Sequence, residues 1–265
     1  MITSTSNPHI KEVKGLRNKQ RRSESGLGYI EGIRIVYEAI KSGFAIEEIL
    51  YSLELAKSKI IEEALEIARN QDIRVVEVSS QVFESISSKE GPQGIAAVIR
   101  QRWTTFEQIN AEHGLWIALD EVADPGNLGT ILRTCDAVGA SGMILIGNCT
   151  DPYDPSALRA SMGAIFSQKL VKTTKEDFIS WVKRNNRYLI GTSDHAKIDY
   201  RDANYSLDSI ILMGSERQGM SKDLENSCNT VVSIPMKGSC DSLNLAVASA
   251  IMLYEVSRQE NKREI

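Results

Sequence analysis

Three short stretches of this chain hold residues that can do chemistry. In "DPGNLGTILR" (124–133) a Pro-Gly turn runs into a helical pattern, with Asn127 and Gly129 near its mouth and Arg133 further in. In "MGSERQGMS" (213–221) Glu216 stands between Gly214 and Gly219. In "IPMKGSCDSLNLAVASA" (234–250) Ile234, Pro235 and Met236 precede Ser242, Leu243 and Asn244. An arginine can grip a phosphate, and its guanidinium ordinarily stays protonated. A carboxylate in a loop can orient an arginine or an asparagine amide. Glycines let the backbone bend tightly and approach a ligand closely. The first stretch has the look of a phosphate cradle, but the common cradles fail on spacing. Gly126 and Gly129 are three apart and the third glycine of a G-x-G-x-x-G is missing; no G-K-[ST] follows either. That argues against a nucleotide-dependent oxidoreductase. Taken singly, each residue also has a plain structural role: Asn127 as a helix cap, Arg133 as a surface ion pair, Glu216 as an exposed turn residue.

These loops need strands and helices to hold them. From "LWIALDEV" onward, apolar segments "GMILIGN", "QKLVKT", "YLIGTS", "SIILM" and "TVVSIPM" are separated by helical patterns. The helices expected are 125 to about 137, "DPSALRASMGA", "KEDFISWVKRNN" and a long one beginning near Ser242. Continuous apolar strands alternating with helices predict a mostly parallel sheet covered on both faces. Function in such sheets sits at the C-terminal ends of the strands. Leu128, Ile131, Leu132, Cys135 and Val138 form a helical stripe that faces the core, and Arg133 lies off it. Asn127 reads as the N-cap of that helix. Ala246, Ala248, Ser249 and Ala250 are small and allow close approach of a neighbouring backbone or subunit.

A first block, about 8 to 100, alternates in the same way and predicts a smaller α/β domain. It opens with a helix over 8–22, in which Ile10, Val13 and Leu16 recur at every third position. Six of the twelve residues 11–22 are basic and only Glu12 is acidic, on a chain of net charge −4. Such a basic arm is a candidate footprint for a polyanion, with a solvated helix face as the plain alternative. Residues 101–114 are polar and read as a linker with one helical turn. The domains expected are therefore 1–100, a linker 101–114, and 115–265.

Composition narrows the rest. With 265 residues, 42 % of them hydrophobic, the chain can build two cores. No apolar run approaches the roughly 18 residues of a membrane span, and the N-terminus lacks a secretory h-region, so a cytoplasmic protein is expected. Cys135, Cys149, Cys228 and Cys240 form no C-x-x-C pair, and His9, His113 and His195 are isolated from one another. No metal site is expected from that spacing.

Together, and in this order, the three stretches resemble the SpoU (TrmH-like) branch of the SPOUT RNA methyltransferases. Pro125, Asn127, Gly129 and Arg133 match its first motif; Gly214, Glu216 and Gly219 its second; Ile234, Pro235, Met236, Gly238, Ser242, Leu243 and Asn244 its third. Arg217, Leu245 and Cys135 depart from the residues usual there, but none is a motif position. The first block, through "ITSTSNPHIKEVKGL", "IEGIRIVYEAI" and "GPQGIAAV", resembles the L30e-like substrate-binding domain that often precedes this catalytic domain.

The resemblance implies a trefoil-knotted methyltransferase domain and a homodimer. It implies S-adenosylmethionine-dependent methylation of a ribose 2′-hydroxyl in RNA; the N-terminal domain favours ribosomal RNA, with transfer RNA as the alternative substrate. A non-catalytic RNA-binding protein of the same fold is the rival reading. Gly214, Ile234, Met236, Ser242, Leu243 and Asn244 would hold the cofactor. Lys11, Lys14, Arg17, Arg21, Arg22 and Arg34 would meet the RNA. Arg133 would be the key catalytic residue, with Asn127 and Glu216 holding its position. Two roles stay open for Arg133: base for the hydroxyl proton, or holder of the RNA phosphate that polarises the hydroxyl.

Overall fold

The structure, a computed structural model, describes residues 1–88, 91–110, 113–206 and 208–261. Its first hundred residues give α1 (Pro8–Gly15), α2 (Lys19–Ser25), β1 (Leu27–Glu31), α3 (Ile33–Lys41) and β2 (Ile46–Tyr51). They continue with α4 (Lys59–Asn70), β3 (Arg74–Glu77), α5 (Ser80–Ile86) and β4 (Ile95–Arg100). The single helix expected over 8–22 is two. Asn18 interrupts it, because its side chain accepts from the Gln20 amide at 2.8 Å and so caps a new helix. Helix α4 starts at Lys59, after the Ser58 side chain caps it by accepting from the Ile60 amide. The chain before it turns against Gly94, where a Cβ would stand 2.6 Å from the Ala56 nitrogen.

The four strands form a sheet in the order β1-β4-β2-β3. Strand β4 pairs antiparallel with both neighbours, and β2 pairs parallel with β3. Ile10, Val13 and Leu16 of the arm are buried against Tyr29, Leu50, Phe83 and Val98, so the apolar third positions anchor the arm to the core.

The chain continues with α6 (Phe106–Ile109), β5 (Trp116–Asp120), α7 (Pro125–Ala137), β6 (Gly142–Ile146) and α8 (Pro155–Ser161). A short 3-10 turn (Ala164–Phe166) precedes β7 (Lys169–Thr173), α9 (Lys175–Arg184), β8 (Tyr188–Thr192) and β9 (Ile198–Asp199). Last come β10 (Ser209–Met213), α10 (Lys222–Ser227), β11 (Thr230–Ser233) and α11 (Leu245–Asn261). Of the expected linker 101–114, residues 111 and 112 lie outside the described residues; α6 is its helical turn. Seven strands form one sheet in the order β7-β6-β5-β10-β8-β11-β9, and every pair is parallel. Strands β5, β6 and β10 are buried at every residue, as expected of a sheet covered on both faces. Among the described residues no helix is long and apolar enough to cross a membrane.

The chain sorts into two compact units, 1–101 with 151–167, and 102–150 with 168–265. The second expected domain, 115–265, is thus interrupted: segment 151–167, with α8, packs in the first unit. Arg22 is the reason. Only 1 % exposed, it donates through Nε to Asp151 at 2.6 Å and through Nη2 to Asp154 at 3.3 Å. Its Nη1 donates to the Leu16 and Arg17 carbonyls. A guanidinium buried this deeply requires carboxylate and carbonyl partners, and the interrupting segment supplies the carboxylates. Phe166 packs tilted against Phe44, with ring centroids 4.9 Å apart, and adds apolar contact between segment 151–167 and the first hundred residues.

Candidate functional site

In the seven-stranded sheet, β5, β6 and β7 follow one another outward, and β10 later inserts on the other side of β5. The strand order reverses between β5 and β10, which is where parallel sheets open a crevice for ligands. The first two chemical loops leave from the C-terminal ends of these two strands.

The first loop enters α7 through Asp124. Its Oδ1 accepts from the Asn127 amide at 2.6 Å, and Pro125 occupies the first helical turn. Asp124 is therefore the cap, not Asn127 as expected. An Asp-Pro start is itself a capping signal. Released from capping, the Asn127 side chain reaches outward. Its Nδ2 donates to Glu216 Oε1 at 3.1 Å, and its Oδ1 accepts from Asn244 Nδ2 at 2.9 Å. Asn244 in turn caps α11, its Oδ1 accepting from the Ala246 and Val247 amides at 2.9 and 3.3 Å. That cap sets the start of α11 at Leu245, three residues after the expected Ser242. Glu216 Oε2 takes a further bond from the Ala123 amide at 3.4 Å. One hydrogen-bonded chain thus runs from the start of α11 through Asn244 and Asn127 to Glu216, joining all three loops.

The second loop is closed on itself. Ser215 and Gly219 exchange two backbone bonds of 3.0 and 3.1 Å. A Cβ on Gly214 would overlap the backbone of Gly219 and Met220, so residue 214 must be glycine for the loop to fold this tightly. Of the third loop, Ile234 is half-buried, while Met236, Ser242 and Leu243 are exposed; Met236 is 36 % and Leu243 37 % accessible.

Arg133 stands exposed on α7, off the buried stripe of Leu128, Ile131, Leu132 and Cys135. It makes no hydrogen bond or ion pair with the described residues. Asn127 and Glu216 hold each other and Asn244; they do not hold Arg133.

The basic arm is smaller than its sequence suggests. Lys11, Lys14, Arg21 and Arg34 are exposed. Arg22 is not a surface cation: it is the buried centre of the Asp151–Asp154 junction, where no RNA can reach it. Arg17 is half-buried, with Nη2 donating to the Ser87 carbonyl. Among the described residues no three His, Cys, Asp or Glu side chains gather as metal ligands.

Sequence reasoning missed Asp120. This carboxylate ends β5 at the mouth of the crevice and is 4 % exposed. Burial raises its pKa from the ordinary aspartate value, against a lowering pull from Lys175 and the Ser221 amide. An aspartate closing an otherwise apolar strand was the available signal.

Fold and site together define a methyltransferase of the SpoU type, and the comparisons agree. Residues 114–254 match the model of the SpoU rRNA Methylase family, and residues 7–97 match an MRM3-like substrate binding domain. The chain belongs to the SpoU rRNA methylase family. It is 32 % identical over 251 residues to a 23S rRNA (uridine(2479)-2′-O)-methyltransferase of Streptomyces viridochromogenes, covering 92 % of this chain and 87 % of that one. It resembles the crystal structure of an AdoMet-bound rRNA methyltransferase from Sinorhizobium meliloti, with a TM-score of 0.89, 35 % identity and 97 % of each chain covered. The SpoU methyltransferase AviRb of Streptomyces viridochromogenes in complex with AdoMet aligns with a TM-score of 0.85 at 28 % identity, over 96 % of this chain and 98 % of that one.

Proposed function

We propose that this protein methylates a ribose 2′-hydroxyl of ribosomal RNA with S-adenosylmethionine as donor. The observation that carries the reading is the Asn244–Asn127–Glu216 chain of bonds, which assembles three separated motifs into one site. S-adenosylmethionine, when bound, supplies a methyl group on a sulfonium that is its own leaving group, so the protein mainly aligns.

The residues fit that group. The tight Gly214–Gly219 loop leaves no side chain at its base. Met236 and Leu243 offer exposed apolar surface of the kind a purine face covers. Ile234, Ser242 and Asn244 would complete this side. Arg133, with its guanidinium donors unpaired among the described residues, would receive the RNA backbone and the ribose hydroxyl. Lys11, Lys14, Arg21 and Arg34 supply cations for the phosphates on the L30e-like first unit.

A homodimer and a trefoil-threaded C-terminal segment belong to the same proposal. Helix α11 supports the dimer: Val247 and Tyr254, 48 % and 56 % exposed, stand seven residues apart and so on one face. A cytoplasmic location, where ribosomal RNA is met, goes with this reading. The test is methylation of ribosomal and transfer RNA with labelled cofactor, followed by mapping of 2′-O-methyl sites. A single site in 23S rRNA is expected, with the uridine named for the Streptomyces relative examined first. Label confined to transfer RNA overturns the substrate; label in neither RNA overturns the activity.

A further inference from the structure

Asp120 is not among the motif residues, yet it stands at the root of the Glu216 loop. Leu119 pairs with Met213 across β5 and β10, so Asp120 lies where the chain leaves β10 for Gly214. Its Oδ2 accepts from the amide of Ser221, where the same loop ends and α10 begins, at 3.4 Å. Both feet of the loop are thus beside one carboxylate. The Ser215–Gly219 bonds close the loop above that base, and Glu216 rides between them.

Two polar atoms here have no partner. Asp120 Oδ1 and Ser221 Oγ are both buried and unbonded, on residues already joined by one hydrogen bond. A single O–H···O bond between them satisfies both. Unmade bonds of this kind are costly in a buried place, so the pair gains when the loop settles onto Asp120. The backbone beyond is also strained: Glu121 has φ of 53°, in the left-handed region that non-glycine residues avoid. That turn redirects the chain so that Ala123 and Asn127 meet Glu216. A residue held in such a conformation needs surroundings that over-determine it, and Asp120 is its neighbour on the strand.

We propose that Asp120 is a positioning residue for methyl transfer, gripping Ser221 through the backbone amide and the hydroxyl and so fixing the base of the Gly214–Gly219 loop in its cofactor-holding form. This rests on the reading of that loop as part of the cofactor site. Asp120 touches neither the donor nor the ribose; it acts through Ser221 and, beyond it, Glu216.

The test measures S-adenosylmethionine binding to the full chain by calorimetry, beside steady-state kinetics, for Asp120→Ala, Asp120→Asn, Ser221→Ala and, as a control, Gly214→Ala. Losing a hydrogen bond to a charged group weakens binding about tenfold or more, so Asp120→Ala should raise the cofactor Kd by about that factor. The cofactor KM should rise with it while kcat changes far less. Asp120→Asn should rescue affinity, because its oxygen accepts from the Ser221 amide and its NH2 donates to Ser221 Oγ. Ser221→Ala should cost only a few-fold. Gly214→Ala, which deforms the loop directly, should remove measurable binding.

Wild-type affinity in Asp120→Ala with binding lost in Gly214→Ala overturns the role of Asp120 and leaves the loop assignment standing. Undiminished binding in both overturns the loop assignment itself. Asp120→Asn as weak as Asp120→Ala overturns the hydrogen-bond grip. Should Asp120→Ala fail to fold by circular dichroism, unchanged Kd in Ser221→Ala overturns the proposal on its own.

Discussion

Asn244 donates from Nδ2 to Asn127 Oδ1 at 2.9 Å, across 117 residues of chain. The bond ties the starts of two helices together, since Asn244 also caps α11 and Asn127 sits in the first turn of α7. Neither residue is charged, so the bond orders the site without adding field to it.

The polarity of that chain makes a first prediction. Asn127 uses its NH2 on Glu216 and its oxygen on Asn244. Asn127→Asp keeps the second bond and replaces the first with two facing carboxylates. Like charges this close repel strongly. Asn127→Asp should therefore lose more cofactor affinity than Asn127→Ala, by about tenfold at neutral pH. Calorimetry on both variants checks it, and an equal loss would contradict the role of Glu216 as the carboxylate acceptor.

Arg133 is exposed and unpaired among the described residues, so it contributes little to folding. Arg133→Ala should abolish methyl transfer, leave cofactor Kd within about twofold, and shift stability by no more than about 0.5 kcal/mol. Full turnover in a labelled-methyl assay would sink its assignment.

Arg22 and Lys14 belong to one basic run but should separate cleanly. Arg22→Ala strands two aspartates and should cost about 3–5 kcal/mol of stability, read by urea unfolding. Lys14→Ala should leave stability unchanged within about 0.5 kcal/mol. It should lower the salt slope of RNA binding by about one.

The outer face of α11 is testable by charge. Val247→Glu combined with Tyr254→Glu should give a monomer by light scattering and an inactive enzyme. A dimer that persists would move the proposed interface elsewhere.

Thiol chemistry offers a probe of the third loop. Burial pushes Cys135 and Cys228 up to about 12 and Cys149 up to about 11, so all three stay protonated thiols at pH 8. Cys240 is exposed, between Met236 and Ser242. Iodoacetamide at pH 8 should modify Cys240 first, and saturating cofactor should slow it several-fold. Mass spectrometry of the digested protein decides it; modification of Cys135 before Cys240 would contradict the burial pattern.

Much of this was legible in the residues. The fully buried strands β5, β6 and β10, the end of α7 at Ala137 and the order of the three motif loops follow from local apolar pattern and spacing. What was not legible depends on partners far away in the chain. Arg22 reads as surface because arginines in a basic run usually are, and nothing nearby announces Asp151, 129 residues on. Asn127 reads as a cap because caps are local; its tertiary bonds to Glu216 and Asn244 became possible only because Asp124 took the cap. Strand β9 has two residues and α10 six, too short to leave a period. Helix α8 has an ordinary helical pattern, and such a pattern says nothing about which core receives it.

The packing of α8 in the first unit governs how the protein can be taken apart or rebuilt. Because α8 and its two aspartates belong with the first unit, a fragment ending near residue 100 carries Arg22 without its counter-ions. Grafting the recognition module of a relative onto this catalytic scaffold would require two inserts exchanged together, 1–101 and 151–167. A chimera made with a single junction would pair one parent's buried arginine with the other parent's segment 151–167.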